Sequence, residues 1–443
     1  MPHPAAAGSM NAVQDRQLVA PVDMRHPAFR QDPHPLLREL RQSTRVARDV
    51  LGIWLVLHHA DVSAVLRSSQ LSREIWRSPG YEQIRPFLAD STMERTTHQW
   101  MVFNDPPKHT RLRRLVGAAF RPGVVEAMRE RITAVTDELL DALPAQAGPD
   151  GSFDLMTGLA QPLPVRIICD VLGLPHEDFA QTKAWSDALS WIIEPVVRRE
   201  QREAAGRAAE EMVAYLRQHV ARRRGRPAGD DVLGLMVAAS KADEAGNPDE
   251  EPLSDDELLG NLILMFIAGH ETTTNLIGNG MLTLLRHPDE LARLRGGLGD
   301  GSALIRTAIE EMLRYEGSVT TIARHTVEPF TIGDTVVPPG QVLYCMLGAA
   351  HRDPAAFADP DRFDIGRQPN GHLAFGAGIH YCLGAPLARL EAEVAFTRLL
   401  QRYPHLEMAD APPSWRKLIN LRGLDSLRLR LAQPSAGGSP ASA

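Results

Sequence analysis

Cys382 stands in Phe375-Gly376-Ala377-Gly378-Ile379-His380-Tyr381-Cys382-Leu383-Gly384-Ala385-Pro386, where glycines crowd one cysteine and an amphipathic stretch, Leu387 to Tyr403, follows at once. Glycines there permit tight or left-handed backbone and close approach to a flat ligand. A helix starting just after Cys382 directs free amide hydrogens and a positive dipole end at the sulfur. Both favour thiolate over thiol, and thiolate is the form that binds a metal. Rival chemistries fit less well. A dinucleotide-binding GxGxxG needs glycine where Tyr381 stands. Zinc needs further Cys or His nearby, and Cys169 and Cys345 are remote, leaving only His380. A single cysteine is most often inert and buried; the glycine framing and the helix tip the reading toward a ligand.

Three other clusters carry possible chemistry. Ala268-Gly269-His270-Glu271-Thr272-Thr273-Thr274 puts glycine and polar groups inside an apolar helix, which is costly unless they are used. The plainer alternative is a kink with threonines bonded back to the preceding turn. Glu311 and Arg314, at i and i+3, can form a charge-assisted pair on one helix face; in isolation such a pair is usually a surface salt bridge of little worth. His109 and Arg113 lie one turn apart at the edge of an apolar stripe, where a solvated face is the alternative.

The elements that must hold these residues are mostly helical. Leu112, Leu115, Val116 and Ala119 form the stripe of a helix from about Pro107 to Phe120, with Arg111 and Arg114 on the opposite side. Ser254 and Glu257 make a capping box for a second helix reaching about Arg286, apolar nearly all round. A third runs from about Ala303 to Tyr315. Short strands are expected at Ile53 to Leu57, Phe330 to Ile332 and Gln341 to Leu343, punctuated by Gly333-Asp334 and Pro338-Pro339-Gly340. The fold class is therefore mostly α (α+β).

The bulk composition narrows the class further. With 443 residues, 44% hydrophobic and 23% charged, the chain can bury a large core. A net charge of -7 provides no general field for nucleic acid, and the basic run Arg222 to Arg226 reads as a solvated helix end. Three cysteines make no disulfide framework, which suits a reducing cytoplasm. The N-terminus lacks the charged and apolar regions of a signal peptide, and the run Leu262 to Gly269 is too short to span a bilayer. The expectation is a cytoplasmic protein with no membrane anchor. Residues 1–20 and 433–443 read as disordered tails around a single domain, 21–432.

Phe375 to Gly384 resembles the haem-binding loop of the cytochrome P-450 family in its FGxGxHxCxG form, and similarity extends from about Pro33 to Leu429. The resemblance implies the family's fold, a large helical domain with a smaller β-containing region and haem b (iron protoporphyrin IX) sandwiched between two central helices. It makes Cys382 the iron ligand, in a loop that includes Phe375 and Gly376. It makes His109, Arg113, Arg324 and His380 contacts of the haem propionates. Glu311, Arg314 and Arg362 become a buried structural network. Ala268-Gly269 make room for dioxygen, and Glu271 with Thr272 form an acid–alcohol pair relaying protons. His270 is assigned no catalytic role. Leu264, Met265, Ala268, Thr320 and Ile322 are expected near the substrate, beneath segments Trp76 to Met101 and Trp185 to Pro195. One departure stands out: Glu316-Gly317-Ser318-Val319 replaces a proline-containing segment, so backbone beside the pocket is expected to be less constrained.

By this resemblance the chain is expected to be a monooxygenase that puts one atom of O2 into a C–H or C=C bond of a hydrophobic small molecule. Terpenoids, steroids, fatty acids and macrolide-like compounds are the candidate classes. A peroxide-driven peroxygenase and a non-catalytic haem-thiolate sensor are the alternatives, and Glu271-Thr272 argues against both. Three cysteines cannot hold a four-cysteine cluster besides the iron ligand. Electrons are therefore expected from a separate ferredoxin or flavodoxin with its reductase, meeting outward residues such as Arg111 and Arg114. The enzyme is expected to work as a monomer.

Overall fold

The computed structural model describes residues 21–77, 81, 91–117, 120–195, 197–224, 231–240, 252–298 and 303–431. Both expected tails lie outside the described residues, as does Ala119. The helices that matter for the site are α1 (Lys108–Gly117), α2 (Arg129–Gln146), α3 (Pro162–Leu172), α4 (Asp255–Arg286), α5 (Ala303–Tyr315) and α6 (Ala385–Arg402). The main sheet is built from β1 (Val46–Arg48), β2 (Trp54–Val56), β3 (Leu71–Ser72), β4 (Thr321–Thr326) and β5 (Val342–Met346). Its order is β1-β2-β5-β4-β3, antiparallel except for the β2–β5 pair. Phe330–Ile332 and Thr335–Val337 form a hairpin about Gly333, whose φ of 58° requires glycine. A mostly helical protein with small sheets is thus what the residues build.

Helix α4 is the axis of the molecule. The Ser254–Glu257 capping box starts it, the two groups satisfying each other's backbone amides at 3.2 and 3.1 Å. Over 32 residues it packs against α3, α5 and α6 and is buried along most of its length. That is why its sequence lacks a polar face. Arg111 does not face outward as expected. Its guanidinium pairs with Glu257, fastening α1 to the first turn of α4.

Helix α5 positions the cysteine loop through two consecutive glutamates. Glu311 and Arg314 are both fully buried and paired through two bonds, 2.7 and 2.8 Å. Arg314 also donates to the carbonyls of His351, Pro360 and Arg362. Glu311 accepts from the Asp364 amide at 2.9 Å and Asn370 Nδ2 at 3.1 Å. The third member of the network is Arg367, whose Nε lies 3.1 Å from both Glu311 oxygens. Arg362, expected there, has a 65% exposed side chain whose one ion-pair approach among the described residues is to Asp364. The segment turns its backbone carbonyl inward at 362, and the next guanidinium to face the core belongs to 367. Glu310 binds His372 at 2.9 Å and Arg389 of α6 at 2.6 and 2.8 Å. Burial alone would raise its carboxyl, but the Arg389 and His372 hydrogen bonds outweigh it and hold it at about 2. Glu310 and Glu311 therefore brace the cysteine loop on both sides.

Removing one member of a buried charge network leaves the other desolvated and unpaired. Arg367→Met should lower unfolding free energy by about 3 kcal/mol, whereas Arg362→Ala should stay within about 0.5 kcal/mol of wild type. Urea midpoints of the two variants test this; the reverse order would return the role to Arg362.

Candidate active site

A cavity of about 890 Å³ runs between the cysteine loop and the middle of α4. On one side lie Phe375, Gly376, His380, Cys382, Leu383 and Gly384; on the other, Leu264, Met265, Ala268, Gly269 and Thr272. His109, Arg113 and Arg324 line the same cavity. The sequence-predicted residues of four separate segments are thus brought to one space.

The cysteine loop is shaped by its backbone. Gly378 has φ 72°, and a Cβ there would sit 3.0 Å from the Leu66 carbonyl oxygen. Gly384 differs: a Cβ on it would meet nothing within 4 Å, so the loop leaves open space beside Cys382. The Cys382 amide donates to the Phe375 carbonyl at 2.9 Å, and α6 begins at Ala385. Cys382 is exposed and borders this cavity, while the protein atoms around it crowd its sulfur. Burial pushes its thiol up, against the opposing pull of the Gly384 and Ala385 amides and the Arg113 and Arg389 charges. The expected amide donors are present, but by themselves they do not outweigh burial. A cation at the sulfur is needed to make the thiolate the favoured form.

Cationic side chains gather at the cavity edge. Arg113 donates to the Tyr381 carbonyl at 2.7 Å, and Arg324 Nη2 to the Leu66 carbonyl at 3.1 Å. The His109 and His380 rings are 4.2 Å apart. Burial and the Arg113 charge bring His109 down to about 4, so its ring is neutral at pH 7. Its Nδ1 is buried without a partner among the described residues, a cost that a ligand group would relieve. Open space beside a thiol, an apolar slot and a cationic edge together fit a flat, dianionic, iron-bearing macrocycle.

On the distal wall, a Cβ on Gly269 would come 2.5 Å from Ile168 Cδ1, so this glycine serves the packing of α4 on α3 as well as bordering the cavity. The Thr272 hydroxyl donates to the Ala268 carbonyl at 3.1 Å, and the Ser318 hydroxyl donates to the Thr272 carbonyl at 2.7 Å. Glu271 is buried and paired with Arg416, with His270 Nε2 at 3.6 Å. His270 Nδ1 is 2.8 Å from the Phe266 carbonyl. Burial would raise the Glu271 carboxyl, but the adjacent His270 ring and the Arg416 charge more than offset it, holding it well below the usual range. Glu271 is therefore ionised at neutral pH. Asp187 completes the cluster, its carboxyl raised by burial and by the neighbouring Glu271. Arg416 and Asp187 escaped the sequence reading, since no local spacing links them to α4.

Two further expectations are corrected. Thr320 does not line the cavity; its hydroxyl donates to the Ile419 carbonyl at 2.5 Å, and Val319, Thr321 and Ile322 line the wall instead. The segment 316–319 is not loosely held. Glu316 is half-buried in an ion pair with the buried Arg422, the Arg422 amide donates to the Ser318 carbonyl at 2.8 Å, and Ser318 grips α4. Of the covering segments, Tyr81, Trp100, Met101 and Ile192 to Pro195 line the cavity, while 78–80 and 82–90 lie outside the described residues.

The Glu271 arrangement has a pH consequence. Its folded-state pKa is depressed, so it contributes stability present above about 4.5 and lost as pH falls through the folded value. Arg416→Met leaves burial to dominate and raises that value. The stability gap between wild type and Arg416→Met should be widest near pH 7 and narrow as the variant's carboxyl protonates. Urea unfolding as a function of pH reads this directly; a gap independent of pH would refute the pairing.

Comparison with known proteins is consistent across sequence and structure. Residues 29–421 match the family described as cytochrome P450. The cytochrome P450 monooxygenase PikC of Streptomyces venezuelae is 41% identical, covering 91% of this chain and 92% of PikC. The 6-deoxyerythronolide B hydroxylase of Saccharopolyspora erythraea is 38% identical over 92% of this chain and 98% of its own. Among solved structures, the polyketide synthase cytochrome P450 PksS of Bacillus subtilis superposes with a TM-score of 0.81 at 33% identity, covering 93% of this chain and 100% of PksS.

Proposed function

Because this chain belongs to the cytochrome P450 family, we propose that it uses haem b, held through Cys382, to insert one oxygen atom of O2 into a hydrophobic small molecule. It is a P450 monooxygenase, with the haem cofactor, small-molecule substrate and redox partner that the family entails. The haem, when bound, supplies reductive activation of O2 and transfer of one oxygen atom. The chain's own residues do the rest. Cys382 holds the iron, and His109, Arg113, Arg324 and His380 hold the propionates. Phe375 and Gly376 shape the proximal loop. On the distal side, Ala268 and Gly269 leave room for O2.

The observation that carries the oxygenase reading is the pairing of Thr272, facing the cavity, with an ionised Glu271 sealed behind it by Arg416. Being ionised, Glu271 passes protons inward by first accepting one, and the Thr272 hydroxyl presents them to the cavity. This pair argues against a peroxide-driven enzyme or a sensor, neither of which needs a proton route. Leu264, Met265, Ala268 and Ile322, with Val319 and Ile192 opposite, make an apolar substrate wall. Such a wall fits a C–H or C=C bond of an apolar skeleton. Similarity to a 6-deoxyerythronolide B hydroxylase and to a polyketide-biosynthesis P450 supports a polyketide-like substrate from secondary metabolism. We assign electron delivery to a ferredoxin or flavodoxin with its reductase, acting on a monomer. Arg111, engaged by Glu257, is withdrawn from that interface.

The reduced protein with carbon monoxide should show the red-shifted Soret band of thiolate ligation, and an imidazole-like spectrum would sink the assignment. Thr272→Ala should keep haem and substrate binding yet divert most of the electrons into hydrogen peroxide. Measured as product formed per reducing equivalent, full coupling in that variant removes Thr272 from the mechanism.

A further inference from the structure

Beyond the four expected propionate contacts, the cavity edge holds another buried cation. Arg73, just after β3, is 8% exposed and lines the cavity. Its Nε donates to the Val102 carbonyl at 3.0 Å and its Nη1 to the Ala323 carbonyl at 2.6 Å. Nη2 has no hydrogen-bond partner among the described residues. Those two carbonyls orient the guanidinium without neutralising it. Asp105 is the nearby carboxylate, yet one oxygen accepts the Arg73 backbone amide at 2.9 Å and the other the Ser72 hydroxyl at 2.5 Å. His325, adjacent to Arg324 on β4, is 4% exposed and lines the same cavity. Neither of its ring nitrogens has a partner among the described residues.

The charges in this cluster do not balance. Arg73, Arg113 and Arg324 are three fixed cations, and Asp105 is the carboxylate whose charge acts on Arg73, Arg324 and His109. Even with every histidine neutral, two positive charges are left over. Buried charge of that size needs an anionic partner. A porphyrin bearing two propionates at one edge supplies two negative charges.

We propose that Arg73, with His325 beside it, is a further arm of the cofactor cradle, its free Nη2 binding a haem propionate. This rests on the haem reading above, and it adds a residue from the β3 turn to contacts drawn from α1, β4 and the cysteine loop. The shared chemistry is carboxylate binding, and a carboxylate of the substrate is the competing source.

The test measures loss of ferric haem from the holoenzyme to excess apomyoglobin, with natural haem and with haem whose propionates are methyl esters. Arg73→Met should release natural haem about tenfold faster, the equivalent of one hydrogen bond to a charged group. The ester haem should leave wild type and variant at the same rate. Arg73→Gln, which keeps a donor for the Ala323 carbonyl but not the charge, should behave like Arg73→Met and serves if the latter does not fold. An unchanged rate with natural haem overturns the proposal. Equal acceleration with both haems also overturns it, because the role would then be structural. Unchanged haem loss together with an Arg73-dependent spin shift on adding laurate assigns the carboxylate to substrate and overturns the propionate assignment. The comparison does not depend on the axial ligand, so an imidazole-like carbon monoxide spectrum would sink the thiolate reading and leave this result standing.

Discussion

Glu311 and Arg314, two opposite charges wholly removed from solvent on adjacent turns of α5, are the interaction on which the proximal half of the site depends. Such a pair gains little over apolar packing, but breaking it is severe, because each charge then lies desolvated. Its value here is positional. Arg314 gathers carbonyls from three points between His351 and Arg362, and Glu311 gathers donors from Asp364, Arg367 and Asn370. The segment so fixed leads directly into His372 and Leu373, themselves held by Glu310 and by His351 Nε2. Cys382 can therefore be presented on a loop without being mobile.

The distal half depends on one long buried helix. Its polar residues are not decorations of the cavity alone. Asn261 accepts from the Met101 amide and donates to the Gln99 carbonyl, and Asn279 donates to the Arg422 carbonyl. Each pins a covering segment to α4. Glu194, lining the cavity on the opposite side, accepts the Ile419 and Asn420 amides, and burial raises its carboxyl to about 7. The walls of the pocket are thus tied together by buried side chains bonded to backbone, around an otherwise apolar space.

How much of this was legible in the sequence follows from how local each signal is. The cysteine loop, the Ser254 capping box and the Glu311–Arg314 spacing are written within a few residues, and the structure has the corresponding elements with nearly the expected bounds. What escaped depends on chain path. Whether Arg362 or Arg367 turns inward is decided by the backbone between them. Arg416 reaches Glu271 across 145 residues, and Arg422 reaches Glu316 across 106. The missing proline after Tyr315 looked like slack because its replacement, an ion pair with the buried Arg422, has its other half far along the chain. Thr320 was misplaced because the partners that take up its hydroxyl and amide, the Ile419 and Asn420 carbonyls, lie about a hundred residues along the chain.

All of these contacts converge on the claim that Cys382 supplies sulfur to an iron bound in the central cavity. X-ray absorption fine structure at the iron edge of the resting holoprotein tests it most directly. One sulfur scatterer is expected in the first coordination shell of the wild type, absent in Cys382→His. A wild-type shell of nitrogen and oxygen alone would contradict it.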